Sequence, residues 1–174
     1  NYDIWIQQVS GGKPLRLTDH PADDWFPSFS PDGKEIAFRS DRDGGGIYTI
    51  DALAVGGAPR RIADRGILPK YSPDGRWIAY FVLPASLEQR RYKTFLVSPK
   101  GGEPRQILGE FLFRYVVQGV SLTWSPDGKH LLFRGQRADD PKSADWWVFP
   151  VDGGEAVRTH AIENLALTAI VQFP

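Results

Sequence analysis

A run of acids and glycines over residues 41–46, Asp-Arg-Asp-Gly-Gly-Gly, begins like a calcium-binding loop. An EF-hand loop places carboxylates at its first, third and fifth positions, a glycine at the sixth and a bidentate glutamate at the twelfth. Here the fifth position is Gly45 and the twelfth is Ala52, so two required ligands are missing. We therefore interpret the run as a glycine-rich turn between two strands and expect no metal site there.

A second polar cluster lies over residues 19–25, where aspartates, a histidine and a tryptophan occur together. These groups could bind a cation or a basic peptide, although solvated turn residues at the start of a strand have the same composition. The cluster leads into the first strand of a repeat, and a later first strand also has a basic and an aromatic residue ahead of it. The candidate binding residues are Asp23, Asp24, Trp25, Arg114 and Tyr115.

Residues suited to catalysis are scarce in the sequence, which has no cysteine and three histidines. His130 stands at a repeat position that is Glu35 and Trp77 in the other copies, which is typical of a variable surface site. A serine hydrolase of the α/β type needs a Gly-x-Ser-x-Gly elbow, and nucleotide sites need a P-loop or a Gly-x-Gly-x-x-Gly fingerprint. None of these patterns occurs, so the sequence predicts a chain that is not an enzyme, with no catalytic residue and no cofactor.

The composition narrows the classes of partner. The chain has 174 residues, of which 21 are basic, 21 are acidic and 41% are hydrophobic. Zero net charge disfavours nucleic-acid binding and polybasic contact with a membrane, and the apolar fraction is that of a folded chain. No apolar run approaches the roughly 18 residues that span a bilayer, so we expect no membrane insertion. The absence of methionine indicates a segment of a longer or processed chain.

Three copies of Ser-Pro-Asp-Gly, at 30–33, 72–75 and 125–128, organise the elements that carry these residues. Each copy follows an aromatic residue and precedes a basic residue and a short β-prone run that ends in an aromatic. Proline presets φ, aspartate can bond its own backbone, and glycine accepts the positive φ of a bulged hairpin. Each copy is therefore predicted to join two antiparallel strands. Positive φ is expected at Gly33, Gly75 and Gly128.

A second marker, Gly-Gly, alternates with the first and starts at positions 11, 56, 101 and 153. The spacings of both markers, 42 to 53 residues, bracket the roughly 40 to 45 residues of a four-stranded propeller blade. The predicted fold class is an all-β β-propeller built from four-stranded antiparallel blades, with three complete blades and partial blades at both ends. The predicted divisions of this single propeller segment are a partial blade 1–18, blades 19–64, 65–109 and 110–161, and a partial blade 162–174.

Alternating and β-rich runs predict the strands themselves, and no helix-period stretch occurs. The complete blades are predicted to use 25–29, 35–40, 47–52 and 60–63; 68–71, 77–83, 93–98 and 105–108; and 120–124, 130–135, 146–151 and 156–160. The partial blades are predicted to use 4–9 and 14–17 at one end and 165–173 at the other. Repeated aromatic residues are expected to pack between blades: Phe29, Tyr71 and Trp124, together with Trp5, Tyr48 and Trp147.

The recurring unit resembles the TolB-type, WD-repeat-like β-propeller repeat of bacteria. It begins with an aromatic residue, Ser-Pro-Asp-Gly and a lysine or arginine, which the strand Ile-Ala-Phe follows. Next come the polar run at residues 40–44 and the pair Ile47-Tyr48, and the unit ends with Gly-Gly and a following arginine. Similar repeats occur in the periplasmic protein TolB, in gating propellers of prolyl-oligopeptidase-like peptidases, and in bacterial sensor proteins. The resemblance implies a module for protein interaction or ligand sensing, periplasmic or otherwise extracytoplasmic, within a larger protein. The alternative that it implies is the substrate-gating propeller of a hydrolase whose catalytic domain is outside this chain.

The partial blades suggest how a ring could close. Residues 2–17 supply two outer strands and residues 165–173 supply an inner strand, which together make most of one more blade. Closure within one chain gives a four-bladed ring, whereas exchange between two chains gives an eight-bladed, two-fold ring. An open arc of a larger parent propeller is the third arrangement. The expected partners are a protein or peptide and a second copy of the chain, with no nucleic acid.

Overall fold

The computed structural model describes residues 1–53, 56–84, 92–113 and 122–164, and these form two compact units. The first unit comprises Asn1–Leu83 and Lys93–Ile107, and the second comprises Pro84–Tyr92 and Leu108–Pro174. Nearly all regular structure in the described residues is β-strand, as the sequence predicted. No helix in the described part of the chain is long and apolar enough to cross a membrane.

The first unit contains ten strands. They are β1 (Trp5–Ile6), β2 (Leu15–Arg16), β3 (Asp24–Phe29), β4 (Glu35–Ser40), β5 (Gly46–Asp51), β6 (Arg60–Ala63), β7 (Ile67–Tyr71), β8 (Ile78–Val82), β9 (Lys93–Val97) and β10 (Arg105–Ile107). Strands β3 to β6 form one four-stranded antiparallel sheet and β7 to β10 form another, each in chain order. These are the four-stranded blades that the repeats predicted, and β1 and β2 form a separate antiparallel pair.

Alternation along β4 and β5 gives the first four-stranded sheet two apolar faces, because successive side chains of a strand point to opposite sides. Ala37 and Ile47 lie on the face that packs against β7 and β8, in a cluster with Tyr80. Phe38 and Tyr48 lie on the other face, which packs against the segment that carries β1 and β2. The sheets of the first unit therefore stack face to face.

Each Ser-Pro-Asp-Gly copy forms the predicted hairpin turn. In the first copy, Ser30 Oγ donates a hydrogen bond to Asp32 Oδ1 at 2.7 Å and accepts one from the Glu35 N–H at 2.9 Å. Asp32 Oδ1 also accepts the Lys34 N–H at 3.1 Å, and the same three bonds recur in both other copies. The serine hydroxyl and the Lys34 N–H hold the pKa of Asp32 below its usual value. Positive φ is confirmed, at +72°, +71° and +70°, for Gly33, Gly75 and Gly128.

The second unit contains β11 (Phe111–Leu112), β12 (Leu122–Trp124), β13 (His130–Arg137), β14 (Asp145–Pro150) and β15 (Val157–Arg158). Both β11 and β12 pair antiparallel with β13, which is longer than predicted and uses its extra residues to pair with β11. The sequence did not predict β11. Phe111 stacks edge-on against Phe133 and Trp147 with ring centroids 4.9 Å apart, so its short strand is fixed by aromatic packing.

Two parts of the sequence prediction are wrong in the structure. Phe29 and Trp5 were expected between blades but are 53% and 57% exposed. Tyr71, the equivalent of Phe29, covers the preceding four-stranded sheet, whereas Phe29 is preceded only by the outer pair β1 and β2. Trp5 lies between Ile4 and Ile6, which face the core, so strand alternation directs it outward. Residues 161–164, between the predicted strands 156–160 and 165–173, are helical, and the sequence did not predict this turn.

The other predicted inter-blade aromatics are more enclosed. Tyr48, Tyr71 and Trp147 are buried, and Trp124 is half-buried. The predicted strand 165–173 lies outside the described residues. The predicted blade boundaries therefore stay a prediction at that end of the chain.

Candidate ligand-binding site

Three connections of the first unit meet at one end of its sheets, because neighbouring strands run in opposite directions. They are the segment 18–23 before β3, the loop 41–45 between β4 and β5, and the turn 64–66 between β6 and β7. We call this the upper end. It contains the first three predicted binding residues, and a cavity opens there.

A buried ion pair fastens the loop 41–45 to the first strand. Arg42 Nη2 lies 2.7 Å from Asp24 Oδ2, and the two side chains are 9% and 0% exposed. Arg42 Nε also donates a hydrogen bond to Ser40 Oγ at 2.7 Å. The guanidinium lies over the rings of Phe38 and Tyr48, 5.6 and 5.3 Å from their centroids, which adds cation–π attraction. Arg42 thus connects three strands of one sheet.

The predicted residue Asp24 is consequently buried inside the protein. Its Oδ1 atom has no hydrogen-bond partner among the described residues, and its backbone N–H donates to the Tyr2 carbonyl at 2.9 Å. Asp23 is half-buried and accepts the Tyr2 N–H on Oδ1 at 2.7 Å. Both carboxylates therefore stabilise the loops at the upper end. Arg114 and Tyr115, the other predicted pair, lie outside the described residues.

Trp25 is the aromatic residue among the predicted binding residues at the upper end. It is half-buried and packs on the ring of Tyr2 with centroids 4.1 Å apart. The next residue, Phe26, is exposed and has a φ of +55°, which interrupts the pairing of β3 with β4. Directly opposite Trp25 on β4 is Arg39, so these two side chains lie on the same face of the sheet.

A cavity of about 410 Å³ opens at the upper end beside Arg39. Arg39 Nη2 lies 2.6 Å from Asp41 Oδ1, so its charge is already paired. Arg61 Nη2 donates hydrogen bonds to the carbonyls of Gly45 and Asp64 at 2.7 and 3.0 Å, which ties the two loops of the rim together. The residues that line the cavity are Arg39, Asp41, Gly44, Gly45, Gly46, Asp64, Arg65, Gly66, Ile67, Val82 and Leu83.

Gly66 lets the two four-stranded sheets approach each other below this rim. Its φ is +152°, and a Cβ atom there would lie 2.5 Å from Tyr80 Cδ2 and 2.8 Å from Ile47 Cγ1. Such distances are too short for carbon atoms, so a side chain at this position would push the sheets apart.

Burial, with a smaller contribution from the Asp64 carboxylate, raises the pKa of Tyr80 to about 12. Its hydroxyl is therefore neutral at ordinary pH.

A second cavity, of about 630 Å³, shares Asp64, Arg65 and Val82 with the first. The two cavities adjoin at these residues, between the first and second four-stranded sheets, and we call them together the inter-sheet groove. The residues that line its second part are Arg61, Ile62, Ala63, Asp64, Arg65, Tyr80, Val82, Lys93, Phe95, Gly102, Glu103 and Pro104.

Sequence reasoning missed the inter-sheet groove, because its walls come from segments far apart in the chain. The Asp-Arg-Gly sequence at 64–66, in the connection between two blades, was the signal that could have indicated it.

In the second unit, a separate cluster brings together one potential ligand atom each from Asp145, His160 and Glu163, within 4.8 Å of one another. Arg158 already occupies this cluster, with Nε 3.1 Å from Asp145 Oδ2 and Nη2 2.8 Å from Glu163 Oε1. Burial alone would raise the pKa of Asp145, but the Trp146 and Ile162 N–H groups and Arg158 hold it below its usual value. The guanidinium pairs with both carboxylates, so the cluster fastens the helical turn to β14.

No protein-family model matches the sequence. Tricorn protease homolog 1 of Streptomyces coelicolor is 27% identical over 164 residues, which cover 91% of this chain and 15% of that protein. The uncharacterized peptidase YuxL of Bacillus subtilis is 26% identical over 166 residues, which cover 75% of this chain and 24% of that protein. The chain thus spans a quarter or less of the length of these two relatives.

Solved structures show the fold. A protein assigned as TolB from Agrobacterium tumefaciens is similar with a TM-score of 0.64 and 24% identity, covering 90% of this chain and 55% of that one. The β-propeller domain of the Trilobed protease from Pyrococcus furiosus, which has an open velcro topology, gives a TM-score of 0.55 at 21% identity. That match covers 79% of this chain and 41% of the domain's chain. The chain has the TolB-type β-propeller fold that the repeats predicted.

Proposed function

We propose that the chain is a non-enzymatic β-propeller module that binds a protein or peptide partner, or senses a ligand, as part of a larger bacterial protein. The observation that carries this proposal is the inter-sheet groove, whose two parts have volumes typical of ligand sites. A polypeptide suits it because the lining combines apolar side chains with charged ones.

The chemistry of the groove favours binding over catalysis. Its described lining contains no serine, threonine, cysteine or histidine, so it has no nucleophile and base of the hydrolase kind. Arg39 is paired with Asp41, and Arg61 is hydrogen-bonded to two carbonyls, so these cations hold the rim in shape. We infer that a charged rim around an apolar interior serves to bind a ligand.

Trp25, at the upper end, supplies an aromatic contact beside the groove in this proposal. Arg114 and Tyr115 are retained as binding residues proposed from the sequence, with no position assigned to them in the structure. Asp23 and Asp24 act indirectly, since their carboxylates hold the Tyr2 backbone and Arg42 in place. The upper end would then receive one end of a polypeptide whose remainder lies in the groove.

Panning of a random twelve-residue peptide library, displayed on phage, against the immobilised full chain tests the proposal. We expect related peptides to be enriched by the wild-type chain. The double variant Trp25→Ala, Tyr115→Ala should bind those peptides more weakly while its melting temperature changes little. Failure to enrich any peptide, or turnover of a peptide or glycoside substrate by the pure chain, would overturn the proposal.

A second candidate is the substrate-gating propeller of a prolyl-oligopeptidase-like hydrolase whose catalytic domain lies outside this chain. It is favoured by the two relatives, which are named as a protease homolog and a peptidase. Sequencing of the parent gene distinguishes the two candidates. A downstream hydrolase domain with a Gly-x-Ser-x-Gly elbow would establish the peptidase, and an upstream kinase or winged-helix domain would establish the sensor.

We also propose an extracytoplasmic location and a homodimer that completes a propeller ring. The similarity to TolB supports the location. The pair β1–β2, which lacks an inner strand among the described residues, supports the homodimer. Fractionation of the native cells, with periplasmic and cytoplasmic marker enzymes as controls, tests the location. Detection of the protein in the cytoplasmic fraction alone would exclude the extracytoplasmic location.

A further inference from the structure

One wall of the inter-sheet groove includes the edge strand of a sheet, in which Arg60 and Arg61 are exposed and Ile62 and Ala63 are buried. β6 is the outermost strand of its sheet and, within the described ranges, pairs only with β5. The other side of such a strand presents N–H and C=O groups that no strand pairs. The end of β6 and the residues that follow it, 61–65, line the second cavity. An extended peptide can add to an edge of this kind through main-chain hydrogen bonds.

The floor of the groove is apolar and aromatic. Val82 on β8 and Phe95 on β9 line it together with the ring of Tyr80. The rings of Tyr80 and Phe95 are stacked, with centroids 5.7 Å apart and planes inclined by 21°. A strand laid along β6 would direct every second side chain toward this floor. The groove is therefore suited to a peptide with alternating apolar residues.

The two ends of the groove carry opposite charge. At the upper end, Arg65 and Lys93 are exposed and make no ion pair with any residue of the described ranges. The negative charge of the nearby Asp64 is paired with Arg61. At the lower end lies the exposed Glu103, in the loop between β9 and β10. The groove thus has uncompensated positive charge at one end and a carboxylate at the other.

These observations together define one class of ligand. We propose that the inter-sheet groove binds an extended peptide segment with a carboxylate at one end, over Arg65 and Lys93, and a basic side chain about four residues away, over Glu103. The proposed separation matches the length of β6, whose four residues span ~13 Å at ~3.3 Å per residue. The inference rests on the proposed function, since it names the class of peptide that the module takes.

The test uses fluorescent eight-residue peptides of alternating threonine and valine, with glutamate at position 2 and lysine at position 6, or the reverse. Both orders are needed because an added strand can run in either direction. Each peptide is compared by fluorescence polarisation with a copy that has glutamine in place of glutamate. We expect the glutamate form of one order to bind roughly five-fold more tightly than its glutamine copy.

The protein variants locate the effect. The double variant Arg65→Gln, Lys93→Gln should abolish the preference for glutamate, whereas Lys13→Gln, Lys142→Gln removes the same charge from exposed sites elsewhere and should retain it. Backbone N-methylation of alternate peptide residues should weaken binding if the edge of β6 is used. Equal melting temperatures of the variants confirm that the fold is intact.

Two outcomes would overturn the inference. One is equal binding of the glutamate and glutamine forms by the wild-type chain, and the other is an unchanged preference after the groove cations are removed. Either of these two outcomes is compatible with the proposed function if the phage library still yields bound peptides. A chain that retains no library peptide at all would instead remove the proposed function itself.

Discussion

The hydroxyl of Tyr71 donates a hydrogen bond to a carboxylate oxygen of Glu35 at 3.1 Å, and this bond joins the second four-stranded sheet to the first. The Tyr71 N–H also donates to Ser28 Oγ at 3.1 Å. Arg60 completes the contact, since it lies 3.7 Å from Glu35 and donates a hydrogen bond to the Pro99 carbonyl at 2.7 Å. Polar bonds thus supplement the apolar packing between neighbouring sheets.

Tyr71→Phe should lower the free energy of unfolding by about 1 kcal/mol, because one hydrogen bond to a charged acceptor is lost while the ring remains packed. Tyr48→Phe is the matched control. Its hydroxyl makes longer contacts, 3.3 Å to the Arg42 carbonyl and 3.4 Å to Asp43, so the loss should be smaller. Urea unfolding followed by tryptophan fluorescence measures both values. Equal losses would contradict the role given to Glu35.

The same tyrosine should make the protein sensitive to alkali. Burial and then the nearby Glu35 carboxylate raise the pKa of Tyr71 above its ordinary value of 10.0. The folded state therefore holds this proton more tightly than the unfolded state, and stability falls as pH rises above about 10. Unfolding measured between pH 8 and 11.5 should show this decline, and Tyr71→Phe should reduce its slope. A slope that Tyr71→Phe leaves unchanged would assign the decline to other groups, such as Tyr80.

Removal of Arg42 should be severely destabilising. Arg42→Ala leaves the Asp24 carboxylate buried without its partner, for which we expect a loss of about 3 to 5 kcal/mol. Arg16→Ala is a matched control, since its ion pair with Asp3 has the same 2.7 Å distance but a far more exposed arginine, and it should cost under about 1 kcal/mol.

Guanidinium chloride unfolding compares the two arginine variants. The further change Asp24→Asn in the Arg42→Ala background should recover part of the loss, because no buried charge then remains. A loss for Arg42→Ala no greater than that for Arg16→Ala would show that the buried pair does not hold the upper loop.

Gly66→Ala should cost about 2 kcal/mol or more, because the new Cβ would collide with Tyr80 and Ile47 between the two sheets. Gly33→Ala separates this collision from backbone strain. Gly33 also has positive φ, but no atom lies within 4 Å of its Cβ position, so the loss should be about 1 kcal/mol. Melting temperatures of the two variants provide the comparison, and a larger effect at Gly33 would argue against tight packing at Gly66.

The solution mass tests the proposed homodimer. The chain has a mass of 19.5 kDa, and light scattering at micromolar concentration should give twice that value. Deletion of residues 165–174 should convert the dimer to a monomer if those residues complete the partner's partial blade. A strict monomer of the intact chain would exclude the two-chain ring. A dimer that survives the deletion would place the interface elsewhere.

Local chemistry explains what the sequence could predict. The turn glycines were predicted correctly because proline, aspartate and glycine determine a hairpin within a few residues. The exposure of Phe29 was not predictable in this way, since it depends on which strands precede it in space. Likewise, the burial of Asp24 depends on Arg42, and the inter-sheet groove on residues between 39 and 104, all brought together by long-range folding.

The three Ser-Pro-Asp-Gly turns have a consequence for how the chain folds. Each turn satisfies its serine and aspartate oxygens within five residues, so it needs nothing from the rest of the molecule. Contacts this local cost little loop-closure entropy and can form before distant segments meet. The hairpins are thus expected to nucleate independently and in parallel. Because each copy carries its own turn-forming residues, a duplicated repeat brings its hairpin with it, which is a physical basis for growth of such chains by whole repeats.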